Sequence, residues 1–280
     1  GVVAVLLTVL ALSTGLADAL TATGSADRAI VLHKQAANEI GSSLPHDAIL
    51  TVQDAPGIAR DANHRAIASA EAIASVNLPR RDNGKLSAIT LRGVSPDELL
   101  PLRPEMRIVQ GRMFHSGLRE LIVGKSAQER FANLDVGSHV KFGDNQWTIV
   151  GAFESGGGAH DSEVMGDIDT VLTAYQRTTY NSIIVKLAGK QGLATLRAAA
   201  LHDPSLSVQV FSESEYYARQ SQTFARFLGL IAKVISTIMA IGAVFAALNT
   251  MYSAVRSRAV EIATLRAMGY GAAGVVVSVN

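Results

Sequence analysis

Residues 227–248 read FLGLIAKVISTIMAIGAVFAAL, a run with one charge, Lys233, over about the 20 residues with which a helix crosses a hydrocarbon core of roughly 30 Å. A lysine at mid-bilayer would cost about 2.5 to 3.5 kcal/mol on an insertion scale. Lys233 stands near the start of the run, where its stem can lie along the helix while the ammonium reaches the headgroups. The surrounding Leu, Ile, Val and Phe each return roughly 0.3 to 0.6 kcal/mol, so insertion wins. The competing reading, a buried helix of a soluble domain, fits poorly with apolarity on every side over this length.

Outward from this span, the start of the chain, GVVAVLLTVLALSTGLADAL, is uncharged until Asp18 and reads as a first transmembrane helix over residues 1–23. A cleaved signal peptide competes, because Ala17-Asp18-Ala19 resembles a small-residue cleavage site, but a basic leading segment is absent. Beyond the second span, placed at 224–252, Arg256, Arg258 and Arg266 lie within about 20 residues of its end and mark that side as cytoplasmic. Two crossings return the chain to its starting side, so residues 24–223 are expected outside. The tail GAAGVVVSVN reads as the start of a third span over 271–280, and the chain is expected to be cut at both ends.

Of the 280 residues 48% are hydrophobic and 18% charged, an apolar excess that falls in the two spans and leaves the segment between them ordinary for a globular domain. A net charge of +1, with no basic block interleaved with aromatics, gives no nucleic-acid surface. Zero cysteines exclude disulfides, thiolate metal sites and cysteine nucleophiles, and say nothing about compartment.

Within the middle segment, Ile30, Val31, Ala37 and Ile40 recur at helical spacing, so a helix is expected over Asp27–Leu44, ended by Pro45. A strand over Ala48–Val52, a helix over Asp61–Val76 and a strand over Lys85–Val94 follow. The order returns later as strand Ser182–Leu187, helix Gly192–Leu201 and strand Ser205–Phe211. Two such units pair into a ferredoxin-like α/β sandwich formed by 24–94 and 181–223. Residues 95–180 read as an inserted, small β-rich subdomain, with Gly143-Asp144-Asn145 turning a hairpin between Ser138–Phe142 and Trp147–Phe153. The fold class expected is thus an α+β membrane protein whose transmembrane helices flank an extracytoplasmic domain.

Catalytic signatures are missing. There is no GxxxxGK[ST], GxSxG or HExxH. Ser155–Asp161, SGGGAHD, reads as a mobile surface loop, and His160, Asp161 and Glu163 as solvated polar residues rather than a metal site. Trp147 reads as core. No catalytic, cofactor or metal residue is assigned.

After the second span, Val255, Ala259, Ile262, Leu265 and Met268 recur at three- and four-residue steps, giving an amphipathic helix over 253–270 that Gly269 can end. On its own this is an interfacial helix resting on lipid. Yet Asn249-Thr250-Met251, Arg258-Ala259-Val260-Glu261-Ile262 and Leu265-Arg266-Ala267-Met268-Gly269 together resemble the N-x-M, R-x-x-E-I and L-R-A-x-G pattern of the MacB/FtsX-like ABC transporter permeases. Glu120-Leu121-Ile122-Val123-Gly124 and Val136-Gly137-Ser138-His139-Val140 are also similar to recurrent features of that family.

The resemblance implies a multi-pass permease of the bacterial inner membrane, working as a homodimer or a pair of permeases. ATP would be bound and hydrolysed by a separate ABC ATP-binding subunit, contacted through Arg258, Glu261, Ile262, Leu265, Arg266 and Gly269. It implies export, lipoprotein extraction or mechanical signalling, with an extracytoplasmic partner protein. A division-type scaffold that activates a cell-wall hydrolase, with nothing transported, is the alternative it leaves open.

Overall fold

The structure, a computed structural model, describes residues 8, 11, 15, 24–203 and 206–269. The expected first span is thus described only at Thr8, Ala11 and Gly15, all helical, and the expected third span lies outside the described residues. The chain divides into two compact units, residues 14–223 and residues 1–13 with 224–280.

The first unit runs β1 (Arg28–His33), α1 (His46–Asp54), β2 (Ala68–Pro79), β3 (Leu86–Val94), α2 (Pro96–Leu102), β4 (Arg107–Gly111), β5 (Glu120–Gly124), α3 (Lys125–Arg130), β6 (His139–Phe142), β7 (Asn145–Glu154), a single 3-10 turn (Ala159–Ser162), β8 (Val164–Asp167), α4 (Ile168–Ala174), β9 (Ser182–Lys186), α5 (Gly192–His202) and β10 (Val208–Ser212). Its strands form one ten-stranded sheet in the order β10-β1-β9-β2-β3-β8-β5-β7-β4, with β6 added beside β7. The sheet is mixed: β3 with β8 and β5 with β7 run parallel, the other pairs antiparallel. The unit is α+β.

Three elements differ from the sequence reading, each for a packing reason. The expected helix over 27–44 is instead β1 followed by a loop. Ala29 and Val31 pack on one side, with Ile49, Val52, Ile183 and Val185, and Ile30 and Leu32 on the other, with Ile184, Tyr216 and Tyr217. A strand buried on both faces shows no polar alternation, and its apolar run imitates a helix. The expected strand over 48–52 is α1, whose Ile49 and Val52, three apart, are its buried residues. Pro45, taken as a terminator, is its N-cap residue. The expected helix over 61–76 is largely β2. Its alanines favour helix, but Ala68, Ala72, Ala74, Val76 and Leu78 fall on alternate positions and are all buried, so sheet packing overrides propensity.

Elsewhere β3, β9, α5 and β10 occupy the segments read as strand, strand, helix and strand. Phe142 pairs with Asn145 across the β6–β7 turn, where Gly143 takes φ 59°. Trp147 is fully buried among Leu91, Leu121, Leu134, Ile149 and Val164.

β10 leads straight into α6 (Glu213–Ser257), 45 residues in one helix. The Ser212 hydroxyl accepts the Glu215 N–H at 3.1 Å, a Ser-x-x-Glu start that satisfies one of the orphan donors of the first turn. Gly229–Ala254, with mean hydropathy 2.1, is the one stretch among the described residues long and apolar enough to cross a membrane. The helix does not change element at 253, where the sequence reading began a separate one. It continues to Ser257, and α7 (Ala259–Ala267) follows after Arg258.

Candidate functional site: a buried ion chain at the root of α6

Charged side chains interrupt the apolar alternation of the central strands on one face. Glu71 of β2 and Arg92 of β3 stand diagonally across an antiparallel pair in which Ile73 opposes Arg92, close enough for long side chains to meet. Both are buried, as are Arg28 of β1, Glu39 of the following loop, Arg103 after α2, Glu163 before β8 and Glu213, the first residue of α6.

Together they make a chain of alternating charge. Arg92 donates Nε and Nη2 to the two oxygens of Glu163 at 2.8 and 2.9 Å, donates Nη1 to Glu39 at 3.2 Å, and also pairs with Glu71. Arg103 donates to Glu71 at 3.3 Å and to Glu213 at 3.0 Å. Arg28 donates to Glu213 at 2.7 Å and, two-pronged, to Glu105 at 2.8 and 3.1 Å. His160 Nδ1 lies 2.8 Å from Glu163, while its Nε2 meets no partner among the described residues. Asn181 secures the loop carrying Glu39, donating to the carbonyls of Glu39 and Ser42, both at 3.1 Å. The Tyr216 hydroxyl of α6 accepts the Glu39 N–H at 3.0 Å.

The loop read as mobile, SGGGAHD, is instead built around a buried carboxylate. Asp161 accepts the Ser155 hydroxyl at 2.8 Å and the Gly157 N–H at 2.8 Å, with Gly156 and Gly157 in left-handed backbone. His160, Asp161 and Glu163 are buried rather than solvated. Burial is tolerable because each carboxylate is hydrogen-bonded and Glu163 meets a two-pronged guanidinium. Beside it a cleft of about 190 Å³ is lined by Glu39, Ile40, Arg92, Glu163, Tyr216 and Gln220, among others.

Burial pushes the Glu163 carboxyl up, but the charges of Arg92 and His160 outweigh it and hold the group well below the usual carboxylate range. Burial likewise raises Glu213, and Arg103 with Arg28 brings it down. Both bind protons more weakly folded than unfolded, so the stability they contribute is complete above about pH 4.5 and is lost as pH falls towards their folded values. The thermal melt of the chain is therefore expected to move down once pH drops below about 4.5. A melt as high at pH 3 as at about pH 6 would contradict this. Burial, reinforced by Glu39, pushes the Tyr216 and Tyr217 phenols up, so both stay neutral. Chemically the arrangement holds and orients; its guanidinium donors and carboxylate oxygens are spent on one another.

Residues 1–202 match the family described as the MacB-like periplasmic core domain. The chain belongs to this family. It is thereby of the MacB-like ABC-transporter permease type, membrane-associated with an extracytoplasmic domain. Among solved structures, the periplasmic region of MacB from Actinobacillus actinomycetemcomitans is 15% identical at TM-score 0.51, covering 72% of this chain and 94% of that one. The extracellular domain of the noncanonic ABC-type transporter YknZ from Gram-positive bacteria is 18% identical at TM-score 0.49, covering 66% and 99%. A domain of a putative permease protein from Porphyromonas gingivalis is 15% identical at TM-score 0.43, covering 66% and 88%. At such identities the likeness to MacB is one of fold. No curated protein is similar enough to the chain to count as a match.

The residues singled out in sequence for contact with an ATPase belong to the compact unit that includes 224–280, whereas the ion chain belongs to 14–223. Arg258 falls at the break between α6 and α7, and Gly269 follows α7 with φ 93°. Glu261, Ile262, Leu265 and Arg266 belong to the backbone of α7, and their side chains lie outside the described residues. The ion chain itself was missed in sequence. The available signal was Glu71 and Arg92, charges set into small and apolar strand residues, which carry a buried-pair meaning only once the strands are paired.

Proposed function

We propose that the chain is the permease subunit of an ABC transporter of the MacB/FtsX type, which couples ATP hydrolysis in a partner subunit to movement of its transmembrane helices and extracytoplasmic domain. The observation that carries this is α6: one unbroken helix that starts on the buried carboxylate of Glu213 and includes the apolar stretch Gly229–Ala254. A helix set into the domain by an ion chain suits the transmission of movement better than the lining of a wide pore. Arg258, Glu261, Ile262, Leu265 and Arg266 form the contact with the ATPase, and Gly269 ends that helix. ATP belongs to the partner, and the permease works as a homodimer or a pair in the bacterial inner membrane. The work done outside is export, lipoprotein extraction or mechanical signalling to an extracytoplasmic protein.

The strand order supports the domain reading as well. β1-α1-β2 and β9-α5-β10 are two strand-helix-strand units, and their strands lie as β10-β1-β9-β2, the arrangement of a ferredoxin-like sandwich. The strands from β4 to β8 then form the inserted β-rich part.

The test is copurification of the full-length protein with its ATPase, comparing wild type with a Glu261→Lys, Leu265→Asp double variant. The variant is expected to insert normally and to lose the ATPase. Retention of the ATPase at wild-type level would reduce α7 to a lipid-associated helix and overturn the proposed coupling to the ATPase.

A further inference from the structure

Five carboxylates, Glu39, Glu71, Glu105, Glu163 and Glu213, share three guanidiniums, Arg28, Arg92 and Arg103. The surplus makes the members unequal. Arg92 is the one guanidinium among the described residues that serves Glu39 and Glu163, so its loss leaves two buried carboxylates without a guanidinium. Glu213 is in the opposite position. If its carboxylate leaves, Arg28 keeps its two-pronged pair with Glu105 and its bond to the Leu102 carbonyl at 2.9 Å. Arg103 keeps Glu71 at 3.3 Å. The Ser25 N–H, which Glu213 accepts at 3.1 Å, belongs to a half-buried residue and can pass to water.

The cost of removing one partner of a buried ion pair comes from the charge left behind. Here the guanidiniums left behind are already paired. The departing group is itself a carboxylate in the first turn of a helix, a position favoured for negative charge even in solvent.

We infer that Glu213 is a releasable pin: the first turns of α6 can come away from the ion chain without stranding a guanidinium, while β1, β2, β3 and the loop before β8 stay locked. Further contacts return the helix to its seat. Tyr216 and Tyr217 lie in an apolar patch with Ile30, Leu32 and Ile184, and the Tyr216 hydroxyl accepts from Glu39. Glu215 pairs with Arg197 of α5 at 2.6 Å. This goes beyond the transport reading and does not depend on it, because it follows from the connectivity of the charges alone.

Amide hydrogen exchange on the full chain in a bilayer mimic tests it, comparing wild type, Glu213→Gln and Arg92→Gln. Glu213→Gln is expected to speed exchange over residues 214–220 by about 10-fold or more while β2 and β3 keep wild-type protection. Arg92→Gln is expected to lose protection in both places. If Glu213→Gln also exposes β2 and β3, the ion chain is one cooperative core and the pin is not separable. If residues 214–220 keep wild-type protection in Glu213→Gln, that carboxylate does not hold the helix. Either result overturns the inference, and neither touches binding of the ATPase, which the Glu261 and Leu265 double variant reads. Should Arg92→Gln fail to fold, the comparison of Glu213→Gln with wild type decides alone.

Discussion

Replacing Arg92 with glutamine is expected to cost the folded domain about 3 to 5 kcal/mol, the scale seen when one partner of a buried ion pair is removed. For a domain of this size that corresponds to a fall in melting temperature of about 6 to 20 °C. The guanidinium meets three carboxylates, Glu39, Glu71 and Glu163, and is itself almost wholly buried. Glutamine preserves part of the volume and two polar hydrogens, but it leaves negative charge buried without compensation. Arg92→Lys separates charge from geometry. An ammonium restores the sign but cannot reproduce the two-pronged grip on Glu163, so it is expected to fall between wild type and glutamine. Arg65, exposed and paired with Asp61 at 3.0 Å, serves as the comparison. Its replacement by glutamine is expected to leave the melt unchanged, as for most surface pairs. If Arg92→Gln melts together with the wild type, the ion chain is ornamental to stability and cannot serve as the seat of α6.

The parts of this protein that were legible in its sequence are those written in local pattern. The apolar run around Ile231–Leu248 needs no partner to be recognised, and the β6–β7 hairpin carries its own turn residues. α5 and its flanking strands likewise alternate or repeat within a few residues. The misread elements are those whose local signal was overruled from a distance. β1 looks helical because sheet and helices cover both of its faces. β2 looks helical because alanine is the best helix former, although Ala68, Ala70, Ala72, Ala74, Val76 and Leu78 mark a strict period of two. The site was legible only in fragments. His160, Asp161 and Glu163 stood out as a cluster, but the partner that explains them, Arg92, lies 71 residues from Glu163. No spacing rule reaches that far, and without Arg92 a loop of glycines and acids reads as solvated. The family resemblance came from the junction after the span, a segment whose pattern is local.

Gly124→Ala is the second substitution expected to be severe, for a reason unrelated to glycine's conformational freedom. Gly124 ends β5 with φ −65° and ψ 143°, values any residue adopts. The obstacle is space. A Cβ there would lie 2.3 Å from the carbonyl oxygen of Asp161, 2.5 Å from its carbonyl carbon and 2.8 Å from its Cα. All three are backbone atoms, so no side chain can rotate away and the 155–163 loop itself must move. That loop is fastened to the same residue, since the Gly124 N–H donates to the Glu163 carbonyl at 2.9 Å. Displacing Asp161 therefore pulls on Glu163 and on its bonds to Arg92 and His160. Overpacking of this kind costs about 1 to 3 kcal/mol by itself, and weakening of the Arg92–Glu163 pair adds to it, so a thermal melt lowered by roughly 5 °C or more is expected. Gly156→Ala, in the same loop, is the discriminating comparison. Gly156 has φ 69° with nothing within 4 Å of an added Cβ, so alanine there meets only the left-handed backbone penalty of about 1 to 2 kcal/mol. If Gly156→Ala proves the more damaging of the two, the loop is governed by its own backbone strain. If Gly124→Ala does, and also speeds amide exchange at residues 214–220, then the approach of β5 to Asp161 sets the position of Glu163 and, through Arg92, Glu71 and Arg103, the seat of α6.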